Sequence, residues 1–172
     1  MQILLRLILL AAAILLTSCG YHLRGHNNMQ VKLAFESVYL RATGESPFVT
    51  DLRKALILNK VVLSESAEQA TIILDIISEG TDKQILSLSA AGKVLEYDLR
   101  YRVTISAYDN QLVYWLPSSE VSLNRTMAYD DAQVLAKEQE QALLYKDMRS
   151  DAVAQVLRRL SRAKPPKDQS EN

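Results

Sequence analysis

The chain has 172 residues, 48% hydrophobic and 23% charged, and its 20 basic and 20 acidic side chains cancel. This is the composition of a globular protein of one domain or two small ones, and it excludes disordered, collagenous and polytopic membrane classes. The zero balance argues against a protein that coats nucleic acid, and one Cys with two His excludes a disulfide framework and a His/Cys zinc cluster.

Met1–Gly20 reads MQILLRLILLAAAILLTSCG. Arg6 supplies a positive charge, and Leu7 to Leu16 is an apolar run of ten residues. A membrane-spanning helix needs about 20 apolar residues, so the run fits the apolar region of a secretory signal peptide. Leu16-Thr17-Ser18-Cys19 then resembles a bacterial lipobox, in which the cysteine is joined to diacylglycerol and the chain is cut immediately before it. The alternative is an ordinary signal peptide with an incidental Cys, or an uncleaved anchor. The coincidence of signal peptide, small residues and sole cysteine favours lipidation, which also removes a free thiol from an oxidising compartment. The expected division is a signal peptide over 1–18, a lipidated tether over 19–30, a folded domain over 31–163 and a disordered tail over 164–172. The mature chain then begins at Cys19 and carries a side-chain charge of 19 minus 20, or −1. By analogy with lipoprotein sorting, Gly20 after the cysteine, where Asp commonly signals retention, implies the outer membrane.

Within the domain, Val31, Leu33, Phe35, Val38 and Leu40 suggest a strand over Val31–Leu40, with a parity change in its middle. Ser46-Pro47 starts a helix, Ser as N-cap and Pro at the first position. Phe48, Leu52, Ala55, Leu56 and Asn59 keep helical spacing, giving a helix over Pro47–Asn59. Thr71–Ser78 is β-branched and apolar, a buried strand, and Gln84–Ser89 is a further extended piece. Ala90-Ala91-Gly92-Lys93 is a bend.

From Leu95 to Ala107, apolar and polar residues alternate without a break, the mark of a long strand with one buried face. Asp109-Asn110 serves as a two-residue hairpin loop, and a return strand runs from Gln111 to Met127, interrupted near Pro117 by a bulge or edge. Asp130 and Asp131 cap a last helix of roughly 30 residues and about 45 Å, whose apolar face runs from Leu135 to Leu160 and which Pro165-Pro166 stops. Two helices and four strands predict an α+β two-layer sandwich, a four-stranded sheet with both helices on one face.

Sites for chemistry are few. His22 and His26 lie four apart in the Gly/Asn-rich tether with no further ligand, so no metal site is expected. No phosphate-binding or nucleophile-elbow motif occurs, no loop serine has a downstream His as base, and neither cofactor nor enzymatic activity is expected. Glu96, Asp98, Arg100 and Arg102 share one face of the long strand. They form either a solvated sheet face or a binding surface, on which alternating arginines would suit a phosphorylated lipid. Tyr97 and Tyr101 fall on the apolar parity and belong in the core.

After the lipobox the chain continues Cys19-Gly20-Tyr21-His22-Leu23-Arg24. This start, with the helix from Pro47, the long alternating hairpin and Leu135-Ala136-Lys137-Glu138-Gln139-Glu140-Gln141, is similar to the LptE family of lipopolysaccharide-assembly lipoproteins. The resemblance runs from Met1 to Leu160. It implies a mixed four-stranded sheet with two helices on one side, and a lipid-anchored, non-catalytic subunit that faces the periplasm from the inner leaflet of the outer membrane. Such a subunit plugs the LptD β-barrel, aids its assembly and binds lipopolysaccharide. It also implies a lipopolysaccharide-binding role for Lys137. The family's second basic position, near the hairpin tip, has no clean match here, and Lys93 is a neighbouring substitute. Arg100 and Arg102 complete the candidate set. For Lys137 the competing reading is an ordinary helix lysine paired with a nearby acid. For the whole protein the competing reading is a general periplasmic scaffold or chaperone lipoprotein with protein contacts only.

Overall fold

The structure, a computed structural model, describes residues 31–165. The expected signal peptide, Cys19, the tether with its two histidines, and the chain beyond Pro165 lie outside the described residues.

The elements are β1 (Ser37–Ala42), α1 (Pro47–Leu58), β2 (Val62–Leu63), β3 (Ile72–Leu88), β4 (Val94–Tyr108), β5 (Tyr114–Ala128) and α2 (Val134–Leu160), with short 3-10 turns at Ala67–Gln69 and Asp131–Gln133. They form one five-stranded sheet in the order β2-β1-β3-β4-β5. β1 runs parallel to β2 and β3, and β3, β4 and β5 form an antiparallel meander. Phe48, Leu52 and Leu56 of α1 and Met148, Val156, Leu157 and Leu160 of α2 pack in one core with Val38, Leu74, Leu99, Val103 and Ile105 of the sheet. The α+β sandwich is therefore observed.

The expected four strands are corrected to five. The added strand, β2, has only two residues, which is too short to show a period, and it exists because Ser37 and Val38 pair with Val62 and Leu63. The first strand starts at Ser37, not Val31; Phe35 is buried and Val31 and Leu33 pack against the core from irregular chain. Thr71–Ser78 and Gln84–Ser89 are one strand, because β4 is long enough to pair with β3 from Ile73↔Tyr108 to Leu88↔Val94. The two-residue Asp109-Asn110 loop is a longer turn. Asp109 N–H donates to the carbonyl of Val113, its carboxylate accepts from the N–H groups of Gln111 and Val113, and Leu112 sits at φ 63°. The pairing slips between Ile105↔Ser119 and Ala107↔Leu116, so Pro117 does fall at an irregularity of an edge strand, where a missing N–H costs no ladder bond.

Helix α1 starts as its sequence suggests: the Ser46 hydroxyl accepts the Val49 N–H at 3.1 Å, with Pro47 following. At the head of α2, Asp130 caps the 3-10 turn by accepting from Ala132 N–H at 2.9 Å. The 27 residues of α2 span about 40 Å.

The feature that positions the candidate site is the far half of β3. β1 ends opposite Ile76, so from Ser78 onward β3 has β4 on one side and no strand on the other. The register shifts between Ile76 and Ser78, and beyond it Glu79, Thr81 and Lys83 stand opposite Val103, Tyr101 and Leu99, on the helix side. This inward face is polar, and helix residues and Tyr101 answer it. Glu79 accepts from Tyr101 Oη (2.6 Å) and Ser46 Oγ (2.5 Å), and Tyr145 Oη donates to the Asp82 carbonyl (2.8 Å).

Candidate functional site

The β3–β4 turn and the start of α2 meet at one end of the sheet, where Tyr129 N–H donates to the Leu95 carbonyl at 2.8 Å. The turn closes through Ser89 N–H to the Lys93 carbonyl (2.7 Å) and Gly92 N–H to the Ser89 carbonyl (2.9 Å). Gly92 takes φ +77°, which a residue without Cβ adopts without strain. Lys93, Val94, Leu95, Tyr129, Asp130 and Asp131 line an open cleft of about 630 Å³ between turn and helix.

Lys83 sits beside this cleft. Its ammonium lies 4.0 Å from the Tyr97 ring centroid and 5.8 Å from that of Tyr129, and donates to Gln141 Oε1 at 2.7 Å. The Tyr97 and Tyr129 rings meet edge-on, with centroids 5.1 Å apart. The face of an aromatic ring attracts a cation, so Lys83 is held in place with no carboxylate partner among the described residues. Burial first, then the charges of Asp131, Tyr97 and Glu138, raise the Tyr129 phenol above its ordinary range. Neither Lys83 nor its two tyrosines as a cage were found by sequence reasoning, which left Lys83 outside the expected strands; only the pairing of β3 with β4 brings it beside Tyr97.

Lys137 lies one turn before Gln141 in α2, with its side chain 18% exposed, and donates to Glu140 Oε2 at 2.8 Å. The expected pairing with a nearby acid is present. At this end of the molecule large apolar side chains stay exposed: Ile85, Leu86, Leu88 and Leu95 on the hairpin, Val134 and Leu135 at the start of α2. Such side chains next to lysines suit an amphiphile with anionic groups and hydrocarbon.

The four candidate cations do not share one surface. Arg100 and Arg102 alternate with the buried Leu99, Tyr101 and Val103, so they occupy the sheet face opposite the helices, while Lys137 is on the helix layer and Lys93 at the exposed turn between them. Nor is the Arg100 face simply wet. Asp98 is 7% exposed, and Arg100 Nε donates to its Oδ2 at 2.6 Å. That pairing commits Arg100 to a neighbour on its own strand; Arg102 is exposed.

Among the described residues no group of three or more His, Cys, Asp or Glu could hold a metal ion, and no helix is long and apolar enough to cross a membrane.

A family model described as "LptE: Lipopolysaccharide-assembly" matches residues 31–160. The LPS-assembly lipoprotein LptE of Photorhabdus laumondii is 28% identical over 158 residues, covering 89% of this chain and 83% of the relative. That of Yersinia pestis is 30% identical over 160 residues, covering 89% and 73%. Among solved structures, lipoprotein B of Nitrosomonas europaea superposes with a TM-score of 0.70 at 38% identity, covering 83% of this chain and 90% of that one. Rare lipoprotein B of Shewanella oneidensis gives 0.64 at 27% identity, covering 71% and 91%. A match spanning both helices and every strand of the sheet, shared with lipoproteins of the same fold, places the chain in the LptE lipopolysaccharide-assembly family, a non-enzymatic family of lipoproteins.

Proposed function

We propose that the chain is the lipid-anchored, periplasm-facing subunit of the outer-membrane translocon that assembles lipopolysaccharide in the outer leaflet. In this reading it plugs the LptD β-barrel, aids the barrel's assembly, and binds lipopolysaccharide where the β3–β4 turn meets α2. Residues 1–18 are the signal peptide, Cys19 is lipidated, 19–30 tether the domain over 31–163, and 164–172 form the tail. The observation that carries the binding role is that Lys83, from β3, bonds Gln141, which lies one helical turn beyond Lys137 on α2, while Ile85 and Leu95 of the hairpin and Leu135 of α2 stay exposed. An ammonium binds phosphate as a point charge without fixed geometry, and the apolar rim offers a surface for hydrocarbon. Lys93 borders the same cleft. Arg102 offers a second, separate contact on the opposite face.

The partner role draws support from the edges of the sheet. β5 is an edge strand of 15 residues, and β3 is unpaired on one side beyond Ile76. Open edges invite contact with another chain unless covered, and a barrel of enough strands encloses space for a domain. Purification in mild detergent with the coexpressed barrel should give a complex of equal stoichiometry. Recovery of this protein only as a free monomer would refute the partner role and favour the scaffold reading.

A further inference from the structure

The opposite corner of the molecule carries a second surface that the lipopolysaccharide site does not use. At the C-terminal end of α1, Ile57, Leu58 and, just beyond, Val62 are 56%, 69% and 63% exposed. Leu58 lines two shallow clefts at once. One, of about 310 Å³, is shared with Val31, Lys32, Asn59 and Lys60; the other, of about 290 Å³, with Asp51, Lys54, Ala55, Lys146, Ser150 and Val153. The most exposed of these apolar side chains is therefore ringed by Lys32, Lys60, Lys54 and Lys146. Among the described residues none of the four takes part in a salt bridge or side-chain hydrogen bond. The acid within the ring, Asp51, is already held by Arg149 Nε at 2.8 Å. Glu36 stands next to the patch, where its carbonyl accepts from Val62 N–H, and is the carboxylate that works against it.

The chain enters the domain at this same corner: Val31 N–H donates to Asn59 Oδ1 at 2.7 Å. Cys19 stands twelve residues earlier, a reach of at most about 43 Å when fully extended.

We propose that this corner, Ile57, Leu58 and Val62 within the ring of Lys32, Lys54, Lys60 and Lys146, docks on the anionic headgroup surface of the bilayer in which the lipid anchor sits. The inference rests on lipidation at Cys19. Two observations select a bilayer as the occupant. The unpaired lysines match anionic headgroups, each contributing about 1 kcal/mol near such a surface. The apolar side chains emerge where the tethered segment joins the domain, so the anchor holds them close to lipid.

The test uses the mature acylated protein with Leu58→Cys, labelled with an environment-sensitive fluorophore. Acylation of Cys19, checked first by mass spectrometry, leaves the new thiol as the sole labelling site, so failure of the lipidation reading is seen separately. Gln111→Cys, at the exposed β4–β5 turn, is the control. In vesicles of phosphatidylglycerol and phosphatidylcholine the Leu58→Cys probe should shift to the blue and be quenched by brominated acyl chains, while the control probe does not respond. High salt, or vesicles of phosphatidylcholine alone, should reverse the shift. Each Lys→Gln change at 32, 54, 60 or 146 should lower the docked-to-undocked ratio about fivefold. A probe at position 58 that matches the control in anionic vesicles overturns the proposal. So does a response indifferent to salt and to all four Lys→Gln changes, or one that appears only when the coexpressed barrel is present, which would assign the surface to protein.

Discussion

Tyr101 donates its hydroxyl to Glu79 across 2.6 Å, joining the middle of β4 to the unpaired half of β3. Glu79 also takes the hydroxyl of Ser46, the N-cap of α1, so the carboxylate ties the helix layer to the sheet where β1 no longer reaches. Burial, and then the bond to Glu79, raises the Tyr101 phenol far above its ordinary 10.0. The folded state thus keeps a proton that the unfolded chain releases near pH 10. The stabilisation is complete below that pH and is lost as pH rises above it. Tyr101→Phe should cost about 1–1.5 kcal/mol at pH 7 and remove this residue's share of the alkaline loss. Urea denaturation of both proteins between neutral pH and pH 11 reads both effects.

Arg100 and Asp98 make a second stability prediction. The side chain of Asp98 is almost enclosed, and Arg100 is the cation bonded to it at 2.6 Å. Arg100→Ala should destabilise the protein by about 1–3 kcal/mol, because a nearly buried carboxylate loses its partner. Asp98→Asn combined with Arg100→Ala should recover part of that loss. If denaturation shows the loss while lipopolysaccharide affinity holds, Arg100 is structural, and Arg102 alone remains as a binding candidate on that face.

Cys19→Ala tests the anchor. It should block diacylglycerol transfer and the cut before residue 19, leaving an uncleaved precursor. Mass spectrometry of the wild-type N-terminus should find an acylated cysteine. An unmodified Cys19 inside an uncut chain would contradict lipidation.

What could be read from sequence followed the length of the periodic signal. Leu95 to Ala107 gave its strand nearly to the residue because thirteen alternating positions leave one interpretation, and Ser46-Pro47 marked a helix start whose cap is present. β2 escaped because two residues carry no period. The union of Thr71–Ser78 with Gln84–Ser89 escaped because Gly80 to Lys83 look like loop; they are held as strand by β4, a partner distant in sequence. At the candidate site Lys137 came from a motif and Lys93 from its turn. Lys83 stayed hidden, since a cation over two tyrosines depends on strand pairing and helix placement together. The parity of β4 separated Arg100 and Arg102 from its core face, yet could not show that Lys137 would end on the other side of the sheet.

Lipopolysaccharide binding at the junction of the β3–β4 turn with α2, as proposed, is read directly from the affinity of Lys137→Asp for lipopolysaccharide at low salt, where charge effects are largest. Replacing a cation that contacts phosphate should weaken binding by about 1.5–3 kcal/mol, roughly 10- to 150-fold. Barrel association and thermal stability should stay near wild type, because the Lys137–Glu140 pair on the helix surface is worth only about 0.3–0.5 kcal/mol. Lys93→Asp measured alongside shows whether the turn shares the site. An unchanged affinity in Lys137→Asp would rule out binding at this junction through Lys137, assign Lys137 to its helix pairing with Glu140, and move the binding surface to the opposite face at Arg102.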